Sequence, residues 1–320
     1  MEEALANFPY WNPKYILAVA GPFFFITVML EWWGIKSGRL GGGYETKDAW
    51  ASMAMGFGNL LSDIVTGFIS VAWLLWIWEL PFRTLDWGFS IGALIAAVIA
   101  QDFLYYWKHF AYHKIRWFWS AHVVHHSSEH YNLSTALRQP WNNHIIGLAL
   151  LSTPLVFLGL HPLLLAFVAA FNLIYQYWIH TEAIGKMPRW FEAVMNTPSH
   201  HRVHHGTNPR YLDANFAGIF IIWDKMFGTF VPEIDDEKVA YGIIKPVGTF
   251  NPVKIAFIEF INLFKDVFRP GLKLSERLKY AFKAPGYSHD GSRIGSMDIK
   301  RAYVAEHPDQ AGTPGLPEQG

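Results

Sequence analysis

The stretch "DFLYYWKHFAYH", residues 102–113, ends an apolar segment with two histidines, His109 and His113, spaced four residues apart. On a helix, residues at i and i+4 lie on the same face, one turn apart. The segment before them, residues 87–107, has Asp102 as its single charged residue. Its length is close to the roughly 20 residues that cross a bilayer. The stretch therefore predicts a membrane helix whose end carries a pair of metal-binding imidazoles.

The composition favours an integral membrane protein. The 320 residues are 52% hydrophobic and 16% charged, against about 25% charged residues in ordinary soluble domains. Residues 15–30 and 60–80 are two further apolar runs of near-spanning length. A fourth run, residues 145–179, is interrupted at 159–163 and predicts a hairpin of two helices that crosses twice or dips in and returns. We predict an all-α integral membrane protein with four to five transmembrane or re-entrant helices.

The alternative is a large soluble protein with buried helices. Tryptophans near the ends of the apolar runs favour the membrane, because they are typical of bilayer interfaces. The 81–86 turn has only Arg83, whereas the 32–59 loop has three Lys or Arg residues and the histidine-bearing segments have eight. Three crossings place these regions on one side, which the charge distribution predicts to be cytoplasmic. Residues 256–268 are amphipathic and predict a helix along the membrane surface.

The chain divides into one domain and a tail. We assign residues 1–287 to a single membrane-embedded domain, with a core at about 60–235. Residues 288–320 are rich in Gly, Pro, Ser and charge and predict a flexible tail.

Two further histidine clusters share one spacing, "HVVHH" at 122–126 and "HRVHH" at 201–205. On a helix, imidazoles at i and i+3 or i+4 converge, whereas adjacent residues diverge by about 100°. One HxxHH segment can therefore serve two neighbouring metals. The predicted ligands are His109, His113, His122, His125, His126, His201, His204 and His205, with His180 as a ninth.

This many imidazoles exceeds the needs of one tetrahedral zinc. Histidines without thiolate suit iron, zinc or copper, and the chain has no cysteine. Two irons with open positions for O2 use the histidines best, and two zincs in the same site remain an alternative. The formal net charge is zero and no nucleic-acid motif is present, which argues against a polyanion partner.

Several residues are predicted to support the ligands. Asp102, with Tyr105 or Tyr106, is positioned to accept a hydrogen bond from the far nitrogen of a metal-bound imidazole. The alternative for Asp102 is an ion pair with a Lys or Arg elsewhere. Gln176 precedes His180 by four residues and shares its helical face. His200 is expected to face away from the metal bound by His201, or to orient a neighbour.

HxxxH followed by two HxxHH segments among membrane helices resembles the fatty acid hydroxylase superfamily, which includes sterol desaturases, C4-methyl sterol oxidases and sphingolipid hydroxylases. Five stretches look like the alkylglycerol monooxygenases and their bacterial relatives, namely "HSSEHYNLSTALRQ" (126–139), "NLIYQYWIHTE" (172–182), "NTPSHHRVHHG" (196–206), "IIWDKMFGTF" (221–230) and "RLKYAFKAPGY" (277–287). The resemblance covers about residues 60–287. It implies four membrane helices under a cytoplasmic cap that holds a dimetal centre. Gln176 stands where some members have a histidine, and Lys114 where an acidic residue is expected in the animal enzymes.

The resemblance also implies an activity, the O2-dependent oxidation of a lipid C–H bond. In an ether lipid the attacked carbon adjoins the ether oxygen, and the hemiacetal collapses to a fatty aldehyde and a glycerol derivative. The implied reductant is tetrahydrobiopterin, and the chain has no HPGG haem signature and no dinucleotide fingerprint. Alternatives are a hydroxylase or desaturase of a sterol, hopanoid or aminolipid, and a dizinc membrane protein without redox chemistry. The candidate contacts to a lipid headgroup are Glu129, Asn132, Arg138 and Asn215.

Overall fold

The computed structural model describes residues 13–82 and 85–319, so that residues 1–12 of the predicted domain lie outside it. Within these ranges the chain is helical, and β-pairing is limited to two isolated bridges, Met195 with Phe220 and Gly206 with Tyr241. The predicted all-α class is therefore confirmed. In chain order the helices are α1 (Pro13–Lys36), α2 (Thr46–Glu79), α3 (Ile91–Lys114), α4 (Arg116–His126), α5 (Thr153–Phe157), α6 (Pro162–Trp178), α7 (Arg189–Glu192), α8 (Pro198–His204), α9 (Ile222–Phe227), α10 (Pro252–Val267), α11 (Leu274–Phe282) and α12 (Ser296–Glu306).

Helix α2 is long and apolar enough to cross a membrane, and it is the one helix of the described ranges that meets both conditions. Its 34 residues extend over about 51 Å at 1.5 Å per residue. One face of the first turns is buried and includes Asp48 and Met55, whereas Ile64, Val65 and Phe68 further along are each at least 66% exposed. Helices α1 and α3 also carry exposed apolar side chains, among them Phe23 and Ile91. A continuous apolar surface of this kind indicates association with a membrane.

The apolar core lies between α2, α3, α5 and α6. Ala97 of α3 is fully buried beside Leu164 and Val168 of α6, and Ile77 of α2 completes the contact. Burial of these side chains stabilises each helix by about 25 cal/mol per Å² of apolar surface removed from water. The core fixes α3, which continues from the apolar region to His109 and His113.

The predicted hairpin differs from the structure in its first half. Instead of one long helix, residues 145–157 form turns, a 3-10 helix (Leu148–Ser152) and the single turn of α5. Gly147 has a positive φ of 79°, and Pro154 lies in the first turn of α5. A left-handed residue ends a regular helix and proline begins a new one. The second half forms α6 as expected.

A second layer of helices lies against the end of α3. Helix α4 follows α3 after a corner at Ile115, where the Arg116 amide donates to the Lys283 carbonyl at 2.9 Å. Helix α10 packs along α4 and is amphipathic as predicted. It begins at Pro252, and the Asn251 side chain accepts a hydrogen bond from the Lys254 amide at 3.1 Å. Helix α4 in this layer carries three of the histidines, His122, His125 and His126.

The predicted flexible tail is folded in the structure. Residues 296–306 form α12, and Val304 and Leu316 are buried. The Lys300 ammonium donates to the Gly315 carbonyl at 2.7 Å. The Arg210 guanidinium donates to Thr313 Oγ1 at 2.7 Å, and so joins this segment to the loop after α8. The polar composition predicts a mobile tail because no local pattern marks these anchoring contacts. One of them joins Thr313 to Arg210, which is far away in the sequence.

Candidate metal centre

Nine buried histidines form two groups at the end of α3. Within each group the candidate ligand nitrogens all lie within 4.8 Å of one another. The five-histidine group contains His109, His113, His122, His126 and His204. The four-histidine group contains His125, His180, His201 and His205. The structure thus brings together all nine histidines that the sequence singled out.

The two HxxHH segments divide their histidines in opposite ways. In α4, His122 and His126 lie one turn apart and enter the five-histidine group, while His125 enters the other. At α8, His201 and His205 enter the four-histidine group, whereas His204 enters the five-histidine group. Adjacent helical residues diverge by about 100°, so each segment contributes to both groups.

Backbone carbonyls fix the orientation of four imidazoles. Because a carbonyl oxygen only accepts, each Nδ1 in these bonds carries the hydrogen. The Nε2 of each ring therefore presents a lone pair to its group. The Nδ1 bonds are His109 to Phe216 at 2.8 Å, His204 to Ala214 at 2.9 Å, His180 to Gln176 at 2.7 Å and His125 to Arg138 at 3.3 Å.

The lone pairs converge where a cation fits. His180 Nε2 lies 3.1 Å from His125 Nε2 and 3.0 Å from His201 Nε2. Burial lowers the pKa of His125 to about 4, so the ring is neutral near pH 7 and lone pairs of His125 and His180 face each other. The buried Nε2 atoms of His113 and His205 have no hydrogen-bond partner among the described residues. Such a set of nitrogens suits a transition-metal ion.

Asp213 is a carboxylate partner that the sequence analysis missed. It accepts from His113 Nδ1 at 3.3 Å and from the Lys114 ammonium at 2.7 Å. Burial alone would raise the pKa of Asp213, but the hydrogen bond from His113 and the charge of Lys114 hold it below its ordinary value. Its backbone is left-handed, with φ 54°, a conformation that aspartate tolerates better than most residues. No sequence spacing connects it to His113, which lies 100 residues earlier.

Asp102 does not bond an imidazole, and both predictions for this residue are wrong. Its carboxylate instead joins the loop after residue 218 to α6 and is fully buried. Four donors saturate it, so it holds this loop against α3 and α6. They are the Ile219 amide at 2.7 Å, the Phe220 amide at 3.0 Å, Trp223 Nε1 at 2.9 Å and Asn172 Nδ2 at 3.0 Å.

Asp224 holds the preceding part of the same loop. It accepts from the Phe216 amide at 2.7 Å and the Ala217 amide at 2.8 Å. Burial raises the pKa of Asp224 to about 6. The Phe216 carbonyl accepts from His109, so this carboxylate positions a candidate ligand through one peptide unit. Asp224 lies in the stretch "IIWDKMFGTF", but the sequence of this stretch does not indicate that its carboxylate supports His109.

The predicted tyrosine partners bond other residues. The Tyr105 hydroxyl donates to Gln176 Oε1 at 2.8 Å, and the Tyr106 hydroxyl lies 3.0 Å from Thr229 Oγ1. Neither hydroxyl contacts an imidazole nitrogen. Gln176 supports His180 as expected, but through its backbone carbonyl. Its side chain is engaged by Tyr105 and does not point at a ligand.

His200 lies outside both histidine groups, in agreement with the prediction that it faces away. Its ring packs against Phe230 at 5.3 Å between centroids, and its Nε2 lies 4.0 Å from Glu192. Burial lowers the pKa of His200 to about 4. The neighbouring His201 points the opposite way, into the four-histidine group.

Two of the four predicted headgroup contacts have buried structural roles, which corrects the prediction. Arg138 is 1% exposed and pairs with Asp48 at 2.7 Å. Asn215 is fully buried and donates to the carbonyls of His200 at 2.9 Å and Val231 at 2.8 Å. Neither side chain has a surface left for a lipid.

The other two candidates are also unsuited to a headgroup. Asn132 is 2% exposed, and its Oδ1 accepts from the Ser134 amide at 3.1 Å at the start of a 3-10 helix (Leu133–Leu137). Glu129 is exposed beside Gly242. It does not line the large cavity next to the histidines.

That cavity has a volume of about 1020 Å³ and reaches the five-histidine group. His113, His126 and His204 form part of its wall, together with Trp119 of α4. No member of the four-histidine group lines it. The cavity passes between α4 and α10 and ends at residues 285–296. The arrangement is that of a membrane-associated protein with two histidine groups that could hold metal ions, of which the five-histidine group borders a cavity.

Comparisons with known proteins agree with this class. The family model "Fatty acid hydroxylase" matches residues 94–229, which include all nine histidines. Alkylglycerol monooxygenase of Danio rerio is 38% identical over 308 residues, which cover 94% of this chain and 67% of the relative. Alkylglycerol monooxygenase of Homo sapiens is 38% identical over 306 residues, covering 92% of this chain and 65% of the relative. A cholesterol 25-hydroxylase-like protein 1, member 2, of Danio rerio is 30% identical over 166 residues, covering 48% of this chain and 57% of the relative.

The chain belongs to the fatty acid hydroxylase superfamily and, within it, to the alkylglycerol monooxygenase family, as the sequence predicts. It spans about two thirds of the length of its vertebrate relatives. No solved structure matches the chain significantly.

Proposed function

We propose that this protein is a membrane-bound lipid monooxygenase that uses O2 and two iron ions. The observation that carries the proposal is the convergence of nine buried imidazoles into two adjacent groups. The named relatives that cover most of the chain are alkylglycerol monooxygenases. The proposed substrate is accordingly an ether lipid, attacked at the carbon next to the ether oxygen. The products are a fatty aldehyde and a glycerol derivative.

The two groups would each hold one iron. Imidazole nitrogens without thiolate suit iron, and zinc is accepted by the same donors. Bound iron supplies the redox chemistry with O2 that the protein side chains lack. Two zincs would leave a protein without redox chemistry, and metal analysis distinguishes these alternatives.

The protein's own residues position the ligands and limit access of water. The carbonyls of Arg138, Ala214, Phe216 and Gln176 fix four ring orientations. Such outer hydrogen bonds set the tautomer and the basicity of a ligating imidazole. Asp213 adds a negative charge at His113 alone among the nine. The four-histidine group is closed by packing, and Tyr131 contacts His180 with ring centroids 5.7 Å apart.

We also propose that the protein crosses the membrane several times, with the histidine groups on the cytoplasmic side. The exposed apolar surfaces of α1, α2 and α3 support this topology, as does the basic charge near the histidines. Because the chain has no cysteine, single cysteines report sidedness cleanly. Glu129→Cys near the histidines and Leu85→Cys at the opposite end of α3 should label from opposite faces of inverted membrane vesicles. Labelling of both from one face would contradict the topology.

The reaction is tested by supplying purified protein with iron, O2, tetrahydrobiopterin and a 1-O-alkylglycerol. Lipid mass spectrometry should show fatty aldehyde, and His125→Ala should abolish it while membrane insertion is retained. A fully active His125→Ala protein would contradict the proposal. The second candidate function is a hydroxylase or desaturase of a sterol, hopanoid or aminolipid, and the shorter match to the cholesterol 25-hydroxylase-like protein favours it. Oxidation of such a lipid with no attack on the ether would support this candidate instead.

A further inference from the structure

Exposed apolar side chains form a group around α7 that the histidine groups do not use. Trp190 of α7 is 75% exposed, and Ile184 and Val194 on either side of this helix are also exposed. None of the three belongs to a histidine group or lines the cavity beside the five-histidine group. A single exposed apolar residue is normal on a protein surface, whereas a contiguous group marks an interaction surface.

Helix α9 extends this group. Met226 is 63% exposed and Phe227 is 40% exposed. The Lys225 ammonium joins α9 to the segment around α7, because it donates to the carbonyls of Glu192 at 3.0 Å and Ala193 at 2.9 Å. We refer to five exposed side chains as the apolar patch, namely Ile184, Trp190, Val194, Met226 and Phe227.

The apolar patch continues the exposed face of α3. The Phe227 ring lies 6.2 Å from Phe103 and 4.9 Å from Trp107 between centroids. Both α3 residues are exposed, and they end a series of exposed apolar residues that recurs every four positions. Residues four apart lie on the same side of a helix. The series is Ile91, Ile95, Ile99, Phe103 and Trp107.

The apolar patch also borders the end of α6. The Phe191 ring of α7 lies 6.5 Å from the ring of Trp178, the last residue of α6. The Tyr175 hydroxyl donates to the Asn196 carbonyl at 2.6 Å. Leu173, within about two turns of the same end, is 53% exposed. The apolar patch therefore lies where two helices with exposed apolar side chains meet the histidine-bearing segments.

Three basic residues adjoin the apolar patch and line one cavity of about 310 Å³, which we call the basic cavity. They are Lys186, Arg189 and Lys225. Lys186 pairs with Asp235 at 2.5 Å, but the Asp235 side chain is 85% exposed. Water and salt weaken an ion pair of this kind. The ammonium of Lys186 is therefore accessible to another anion.

The two carboxylates that line the basic cavity are bound by other groups. Glu233 accepts two hydrogen bonds from the Arg202 guanidinium, both at 2.7 Å. Glu192 accepts from the Met187 amide at 2.9 Å and from the Ser199 hydroxyl at 2.8 Å. A phosphate in the cavity would gain charge-assisted hydrogen bonds from ammonium and guanidinium groups. The basic cavity is thus suited to an anion.

We propose that the apolar patch inserts into the membrane interface and that the basic cavity binds the phosphate of an anionic lipid headgroup. Tryptophan beside lysine and arginine is typical of segments that lie at this interface. Basic residues near a membrane surface attract anionic lipids. The inference goes beyond the proposed function and needs neither the metal nor the reaction. Because α8 begins at Pro198, shortly after Val194, lipid binding here holds the four-histidine group close to the bilayer.

Photo-crosslinking from a single cysteine tests the membrane contact, because the chain has no other cysteine. Val194→Cys carries a benzophenone, and the full chain is placed in nanodiscs of phosphatidylcholine and phosphatidylglycerol. Mass spectrometry should find lipid adducts, as it should for the reference Ile95→Cys on α3. Arg301→Cys, at an exposed position of α12, is the control and should give none. Absence of lipid adducts at Val194→Cys, or adducts to another protein in their place, would overturn the proposal.

The headgroup preference is tested by removing two positive charges. With the label at Val194→Cys, Lys186→Gln combined with Arg189→Gln should lower the ratio of phosphatidylglycerol to phosphatidylcholine adducts about fivefold. Lys238→Gln with Arg301→Gln is the matched control and should leave the ratio unchanged. All four side chains are exposed, so the fold should be retained. Equal ratios in the two double variants would overturn the assignment of the basic cavity.

Inorganic phosphate distinguishes a lipid headgroup from a free anion. Added at constant ionic strength, it should leave the adduct ratio at Val194→Cys unchanged. A fall as large as that caused by the Lys186 and Arg189 substitutions would show that the cavity takes free phosphate, and would overturn the lipid assignment. All of these measurements can be made without bound metal. A failure of the proposed oxidation therefore leaves their outcome unaffected.

Discussion

The guanidinium of Arg138 lies 2.7 Å from a carboxylate oxygen of Asp48, and both side chains are buried. This ion pair joins the segment after α4 to the first turn of α2. The Arg138 guanidinium also donates to Ser127 at 3.0 Å. Because the Arg138 carbonyl accepts from His125, the pair connects the longest helix to the four-histidine group.

Removal of Asp48 should therefore destabilise the protein and weaken metal binding. Asp48→Ala leaves a buried arginine without its partner, which costs about 3–5 kcal/mol. Thermal unfolding in detergent should show a clearly lowered Tm. Asp63→Ala, on the same helix, removes a carboxylate that is 43% exposed and pairs with His144, and should cost about 1 kcal/mol or less. Equal Tm values for the two variants would contradict the role given to the pair.

A methyl group at Gly218 should disturb the loop that Asp102 holds. An added Cβ would meet Asp102 Oδ1 and Asn172 Oδ1, both at 2.7 Å. Overpacking of this kind costs about 1–3 kcal/mol. Gly218→Ala should lower Tm and the metal content, measured on the same preparation. Gly185→Ala is the control, because an added Cβ there has nothing within 4 Å, and it should change neither Tm nor metal content. A Gly218→Ala protein with wild-type Tm and metal content would contradict the prediction and show that the loop has room to adjust.

Asp213 should tune the metal at the five-histidine group without forming part of it. Asp213→Asn keeps an acceptor for His113 Nδ1 and tolerates the left-handed backbone, but removes the negative charge. The loss of such a partner typically lowers metal affinity about 10–100-fold, which competition with a chelator measures. Asp235→Asn, at a side chain 85% exposed, is the control. An unchanged affinity in Asp213→Asn would mean that the carboxylate serves only to bind Lys114.

Adjacent histidines at the start of α8 should behave differently. His201 points into the four-histidine group, whereas His200 lies against Phe230. His201→Ala should lose metal from that group, and His200→Ala should retain it. Metal content of the two purified proteins, measured side by side, decides the matter. Comparable metal loss in both variants would contradict this difference. It would show that both histidines affect metal binding through the folding of the segment.

The histidine groups were predictable because the spacing of residues along a helix determines the side of the helix on which each side chain lies. His122, His125 and His126 diverge around one helix, and their division between two groups follows from 3.6 residues per turn. The apolar runs likewise predicted α1, α2, α3 and α6. These features depend on residues close together in the sequence.

What the sequence did not reveal depends on contacts between distant residues. The partners of His109 and His204 are backbone carbonyls, which any residue carries and no motif marks. Asp213 reaches His113 only because its loop folds back with a left-handed turn. Asp102 was predicted from its position on α3 to serve an imidazole, but four donors from other segments saturate it.

The amount and place of bound metal test the central claim most directly. Inductively coupled plasma mass spectrometry of the purified protein should find about two irons per chain, the loading expected of imidazole groups without thiolate. His204→Ala and His205→Ala, neighbours in sequence but in different groups, should each lose metal from one group and largely keep it in the other. A wild-type protein that binds no metal when iron is supplied, with all nine imidazoles intact, would contradict the account.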